Sequence, residues 1–394
     1  MTSKRTPIKL VNSTFYNEAE TKQKLAEFIL GTSMLSMGEQ TAKFESAFAK
    51  KQGRQFAVLV NSGSSANLIL LQALLNLGRV RAGAAVGISS LTWATNVMPV
   101  IQLGLKPVAI DVSKNTLNVS PETLSAHLRE IDALFLTNAL GFSDDIGRIR
   151  EACASEGITL IEDNCESLGS RVSGALLGNF GLASTFSFFV AHHLSTIEGG
   201  MVCTDDEDLY CALIMARSHG WNRNLPDRKK DELRTRYGDD EFFSKYSFYE
   251  LAYNVRPTDI NAFIGNTQLQ YWDVIVEARE RNFRRFHDAV LKNPDLLPLD
   301  IEHMDVVSNF AMPLIAKDFE TFTAYKRRFI ESGVEIRPII AGDITKQPFY
   351  RKHVADTREQ PNAHFIHAHG LYFANNPNLN EADLQFLTSL LERR

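Results

Sequence analysis

Four short stretches carry residues whose types suit one kind of chemistry. "NSGSSAN" (61–67) puts two hydroxyls, Ser64 and Ser65, among small residues where a helix begins. Backbone N–H groups and side chains can meet an anion such as a phosphate there. In "LTWATN" (91–96) the indole of Trp93 is placed to lie flat on an aromatic ligand. "IEDNCES" (161–167) ends an apolar run with Glu162, Asp163 and Glu166. An acid such as Asp163 can hold a ring nitrogen protonated through a charge-assisted hydrogen bond, which makes the ring an electron sink. "SFFVAHHLSTIEGG" (187–200) adds the Ser187 hydroxyl and the His192–His193 pair, whose imidazoles move protons near pH 7. Each stretch also has a plain structural reading: a capped helix, a core tryptophan, acids that cap a turn, packed histidines. The three acids raise magnesium as well, but no second loop supplies further ligands, so no metal is expected.

The elements that must position these residues read as βα units on a sheet. Apolar runs rich in β-branched residues, "FAVLV" (56–60), "AAVGI" (84–88), "PVAIDV" (107–112), "ALFLT" (133–137) and "ITLIED" (158–163), alternate with segments of helical period. A helix ending at Gly53 precedes the first strand, and Ser120–Pro121 opens another as N-cap and first helical residue. "EGG" (198–200) predicts a tight turn between two further strands. The charged segment 222–245 reads as a surface excursion, and one long helix from Asp259 through "VEARERNFRRFHDAV" links two bodies. The fold class is α/β, a large, mostly parallel sheet domain over residues 1–275 and a smaller α+β domain over 276–394 that includes the linking helix.

Composition narrows the function classes. The 394 residues are 44% hydrophobic and 23% charged with net charge −5, which gives no basic field for nucleic acid. No apolar run reaches the roughly 18 residues that span a bilayer, and the N-terminus has no apolar signal core, so no membrane partner and a cytoplasmic location are expected. Cys153, Cys165, Cys203 and Cys211 form no close pair and read as reduced thiols.

Taken in order, "NSGSSAN", "LTWATN", "AIDV" (109–112), "IEDNCESLGS", "SFFVAHHLSTIEGG" and "YNVRPTDINAFIGNTQL" (253–269) resemble the DegT/DnrJ/EryC1/StrS family of nucleotide-sugar aminotransferases. The match is close over residues 25–275 and looser beyond. The resemblance implies the aspartate aminotransferase fold and a pyridoxal 5′-phosphate (PLP) site. There Trp93 stacks on the cofactor ring, Asp163 meets its pyridine nitrogen, and Ser64, Ser65 and Ser187 hold the phosphate. It also implies a homodimer with two shared sites, Asn254 and Arg256 crossing to the neighbour's cofactor.

One position departs from the family. Its cofactor-bonding lysine falls at His192, five residues after Ser187 and six before Glu198, and no lysine occurs between Lys114 and Lys229. An imidazole cannot form a Schiff base, so the cofactor is held non-covalently, as pyridoxamine 5′-phosphate (PMP). This change resembles the family's 3-dehydratases of 4-keto-6-deoxy sugars. In that branch the cofactor amine condenses with the sugar's C4 ketone, a base (here His192) takes a proton from the cofactor, and the C3 hydroxyl leaves. His193 packs or supports. Relatives acting on the CDP sugar need a [2Fe–2S] cluster held by cysteines after the EGG turn, but "ARSHGWNRNLPDRKK" (216–230) has none. No iron–sulfur cluster is therefore expected. The "RSHGW" (217–221) and "YNVRP" (253–257) segments resemble the family's GDP-sugar branch, which implies GDP-4-keto-6-deoxy-D-mannose as favoured substrate, with L-glutamate rebuilding PMP. Arg217, His219 and Arg337 are candidate substrate contacts, each as readily structural. The rivals are a CDP-type 3-dehydrase, an aminotransferase that tolerates histidine, and a non-catalytic sensor or scaffold.

Overall fold

Strands buried on both faces need helices on both sides, and the chain supplies them in alternation. The computed structural model describes residues 6–356 and 358–393. First come β1 (Phe56–Val60), β2 (Ala85–Ser89), β3 (Lys106–Ile110), β4 (Ala133–Thr137) and β5 (Thr159–Asp163), each within two residues of its expected bounds. A small hairpin of β6 (Arg171–Val172) and β7 (Ala175–Leu176) precedes β8 (Ala183–Ser187) and β9 (Gly200–Thr204). The large sheet has the order β1-β9-β8-β5-β4-β2-β3. Pairing is parallel from β8 to β3, and β9 runs antiparallel to both of its neighbours.

The pleat decides which side chain faces which layer. On β4, Leu134 and Leu136 join one apolar cluster while Ala133 and Phe135 join the other, on the opposite face. The second cluster is sealed by the helices Gly63–Asn76 and Glu207–Arg217. A third gathers Phe44 and Phe48 of the helix Glu39–Gln52 against Phe186, Phe188 and Trp272. Gly53 ends that helix in the left-handed region at φ 82°, as expected of a glycine C-cap. Ser120 forms a capping box with Thr123.

Beyond the large sheet, β10 (Met304–Val306) pairs with β6, while β11 (Ala311–Ile315), β12 (Ile336–Pro338) and β13 (Gly370–Ala374) form an antiparallel sheet with β13 at its centre. The expected boundary at 275/276 falls inside the helix Trp272–Leu291, and one apolar cluster includes both Leu136 of β4 and Phe373 of β13.

Two readings of the sequence are corrected and a third is refined. The long linking helix is two helices, Asp259–Leu269 and Trp272–Leu291. The break lets Tyr271 pack on Tyr16 while Trp272 buries against Phe48. The charged excursion contains a helix, Asp227–Tyr237, without a buried residue. Ion pairs such as Arg228–Glu232 and Lys230–Asp227 support it in place of an apolar stripe. The "EGG" motif is no tight hairpin turn, because Gly200 already belongs to β9 and residues 188–199 form a loop that carries both histidines. Among the described residues no helix is long and apolar enough to cross a membrane.

Candidate active site

The carboxyl ends of β1, β2, β4, β5 and β8 open on one cleft of about 540 Å³, where open α/β sheets bind ligands. At the end of β1 the helix Gly63–Asn76 starts with Ser62 as N-cap, whose hydroxyl accepts from the Ser65 N–H at 3.1 Å. Ser62, Gly63 and Ser64 line the cleft. Ser65 does not line it, and its hydroxyl lies 3.0 Å from that of Ser62. Ser187, the last residue of β8, faces the same turn. A Cβ on Gly63 would lie 2.7 Å from that of Ser187, so only glycine lets the two walls meet. The donors of this cradle are hydroxyls and the first N–H groups of a helix, which suits a phosphate.

Trp93 follows β2 and leaves 56% of its surface exposed, an open indole face on the cleft wall. Asp163 closes the floor at the end of β5, 5% exposed. Its Oδ2 accepts from Asn67 Nδ2 at 3.2 Å and Asn96 Nδ2 at 2.7 Å, and its Oδ1 from the Cys165 N–H at 2.8 Å. Fixed by three donors, the carboxylate can take a further donor from a ring nitrogen in the cleft. Glu162, one residue earlier, faces the other side of the sheet and is wholly buried. It accepts from Asn138 Nδ2 and from the N–H groups of Gly178, Phe180 and Gly181, a structural role. Glu166 lines the cleft and accepts from the Leu140 N–H at 2.9 Å. Burial, with the charge of Asp163 adding to it, raises the Glu166 carboxyl to about 7.

His192 lines the cleft from the loop after β8. Its ring lies edge-on to Phe310, centroids 5.2 Å apart, and to Phe189 at 5.9 Å. Burial lowers its pKa to about 4, so at neutral pH it is an uncharged base. His193 lies beyond the cleft wall, 5% exposed, with Nε2 2.9 Å from the Ser308 carbonyl. Among the described residues no lysine lines the cleft.

The substrate candidates divide. Arg337 lines the cleft beside Glu335, its ion-pair partner. Arg217 does not: it is 3% exposed and bound to Glu45 and to the Leu59 carbonyl, so it bolts its helix to β1 and is no ligand contact. His219, at φ 60°, packs on Trp221, and the guanidinium of Arg256 lies 5.7 Å from the same indole. Asn254 pairs with Ser218 nearby. These three lie apart from the cleft of their own chain. Sequence reasoning missed Asn67 and Asn96, each three residues beyond a residue it had named, and Phe310 and Tyr372 from the C-terminal part, for which the sequence carried no signal.

The match to known proteins agrees with this geometry. The model of the DegT/DnrJ/EryC1/StrS aminotransferase family matches residues 16–391. The chain belongs to this family. Among its relatives in the family is a GDP-4-keto-6-deoxy-D-mannose 3-dehydratase of Yersinia pseudotuberculosis, 34% identical over 88% of this chain and 89% of the relative. A dTDP-4-dehydro-2,6-dideoxy-D-glucose 3-dehydratase of Saccharopolyspora spinosa is 33% identical over 81% and 72%. A solved GDP-4-keto-6-deoxymannose-3-dehydratase with a trapped PLP–glutamate geminal diamine superposes with a TM-score of 0.90 at 31% identity, covering 98% of this chain and 100% of that one. The fold is thus that of the PLP-dependent aminotransferases, and the family's cofactor suits the residues present: an anion cradle, an open indole and a fixed carboxylate.

Proposed function

We propose that this chain is a PMP-dependent nucleotide-sugar 3-dehydratase that removes the C3 hydroxyl of GDP-4-keto-6-deoxy-D-mannose, with L-glutamate restoring the amine cofactor. The observation that carries the reading is His192, an uncharged imidazole on the wall of an otherwise intact cofactor cleft without a lysine. When bound, the cofactor supplies an amine and an electron sink. The chain's own residues do the rest. Ser62, Ser64, Ser187 and the helix N-terminus bind the phosphate, Trp93 covers the ring face, and Asp163 keeps the ring nitrogen protonated. His192 takes up and returns the proton on its imidazole, and Phe189 and Phe310 shield that ring from water.

We further propose a homodimer in which Asn254 and Arg256 of one protomer complete the other's phosphate site. Their distance from their own cleft supports it, as do the exposed Phe248 and Leu251 beside them.

Purified protein given PLP, glutamate and GDP-4-keto-6-deoxy-D-mannose should release ammonia and 2-oxoglutarate and yield a sugar lacking oxygen at C3. An amino group at C4 of the product would overturn the dehydratase reading, and turnover on a dTDP or CDP sugar alone would move the nucleotide. His192→Lys should attach PLP covalently, with the matching absorbance change, and abolish dehydration.

A further inference from the structure

Beside the histidine pair lies a second, smaller pocket of about 40 Å³, which shares Leu10, Val11, Ala191 and His192 with the substrate cleft. Its walls include His192, His193, Ser195 and Arg279, with Ser13 and Thr14 of the N-terminal segment. Arg279 belongs to the helix Trp272–Leu291 and is 4% exposed. Its Nη1 donates to the carbonyls of Phe310 at 2.7 Å, Asn375 at 2.6 Å and Asn309 at 3.4 Å. Among the described residues no carboxylate pairs with it, so a buried cation is neutralised only by carbonyl dipoles. A guanidinium remains charged even so.

The nitrogen inventory around the cavity is specific. His193 must carry its proton on Nε2, because the Ser308 carbonyl can only accept. When the ring is uncharged its Nδ1 is a lone pair. That Nδ1, the Nδ1 of His192 and the Nε–H of Arg279 are all buried without a partner in the protein, on three residues of one cavity wall.

We infer that Arg279 is a positioning residue for His192: locked in a cage of carbonyls, it lines one small pocket together with both imidazoles and holds them uncharged, ready to take a proton. Most of the other ionisable groups around His192 would act in the opposite direction. Asp163, Glu166, Glu198 and Glu335 line the cleft side and would each favour an imidazolium, as Cys165 and Tyr372 would if ionised; Arg337 opposes them there, and Tyr16 adds no cation on the cavity side. Arg279 is the cation on that inner side. Its charge and the burial of the rings act in one direction on both histidines. Burial leaves the guanidinium charged, its own pKa falling only to about 9.

The inference rests on the reading of His192 as the base, and its test needs no substrate. Histidine-labelled full-length protein, with and without PMP, is titrated by NMR, the two rings assigned through His192→Gln and His193→Gln. Both rings should be neutral at pH 6, with His193 in the Nε2–H form. An imidazolium at either position in the wild type overturns the inference whether or not any variant folds. Arg279→Gln should raise the His192 midpoint by about one pH unit, and Arg279→Lys, which keeps the charge, should leave it at the wild-type value. A midpoint that Gln does not move, or that Lys moves as far as Gln, overturns the inference. If the titrations follow expectation while no dehydration is found, the functional reading fails and the role of Arg279 stands.

Discussion

β5 ends in two acids that point to opposite faces, and the structure predicts opposite consequences for removing their charges. In Glu162→Gln one oxygen becomes an NH₂ group. Oε1 now serves Phe180 and Gly181, and Oε2 serves Gly178 and Asn138, with contacts of 2.8 to 3.1 Å. The least damaging arrangement puts the NH₂ at Oε2 and flips Asn138, whose Oδ1 then accepts from it, and Asn164 must flip too or the 2.9 Å bond from Asn138 Nδ2 to Asn164 Oδ1 is lost. It still strands the Gly178 N–H. A charge-assisted bond lost at about 1.5–3 kcal/mol and a buried N–H left unpaired at about 1–3 kcal/mol put the total near 3–5 kcal/mol. Urea unfolding without cofactor, followed by circular dichroism, should show a midpoint lowered to that extent with an unchanged slope. Absorbance titration of the folded variant should show ordinary cofactor affinity, since Glu162 does not line the cleft. A loss of stability below about 1 kcal/mol, or a specific loss of cofactor at full stability, would refute the assignment of Glu162 as structural.

The neighbouring Asp163→Asn should do the reverse, lowering cofactor affinity about 10- to 100-fold through loss of the charge-assisted bond, as read by absorbance titration. Glu166 supplies a pH test. Its carboxyl titrates at about 7 in the fold against an ordinary 4.5, so above pH 7 the fold bears an ionised buried acid, and the strain is relieved as the pH falls from 7 to 4.5 and the native state takes up the proton. Glu166→Gln should therefore gain on the order of 2 kcal/mol at pH 8, discounted for partial exposure to cleft water, and almost nothing at pH 4.5, as compared by urea midpoints. In Gly200→Ala the new Cβ would lie 2.2 Å from the Ser62 carbonyl oxygen. Pushing β9 away from the phosphate turn should destabilise the fold by about 1–3 kcal/mol and weaken cofactor binding at least tenfold, by the same two assays.

What the sequence made legible, and what it hid, follows from the range of the interactions involved. The five strands from Phe56 to Asp163 stood out because burial on both faces demands unbroken apolar runs, a signal complete within five residues. Trp93, Asp163 and Ser187 were legible for a related reason: each sits at a strand's carboxyl end or just past it, and strand direction alone aims it at the crevice. Choosing among adjacent hydroxyls was beyond the sequence. Ser62, Ser64 and Ser65 have the same chemistry, and only the N-cap geometry, with Ser62 accepting from Ser65, decides which face the cleft. Arg217 was left open between contact and structure because its partner Glu45 lies 172 positions away, and nothing local separates a buried ion pair from a waiting substrate contact.

The same limit applies to the residue on which the function turns. The spacing of His192 from Ser187 and Glu198 places it at the lysine position, and with that the kind of reaction changes. Its competence as a base is a different matter. Among carboxylates an imidazole tends to hold its proton, and it is an acceptor at neutral pH only if burial and a nearby cation outweigh them. Those influences come from Phe310 beside β11 and from Arg279 on the helix Trp272–Leu291, and they reach His192 only through the packing of the C-terminal part against the large sheet. The identity of the base is therefore a local property of the chain, and its protonation state a property of the whole fold.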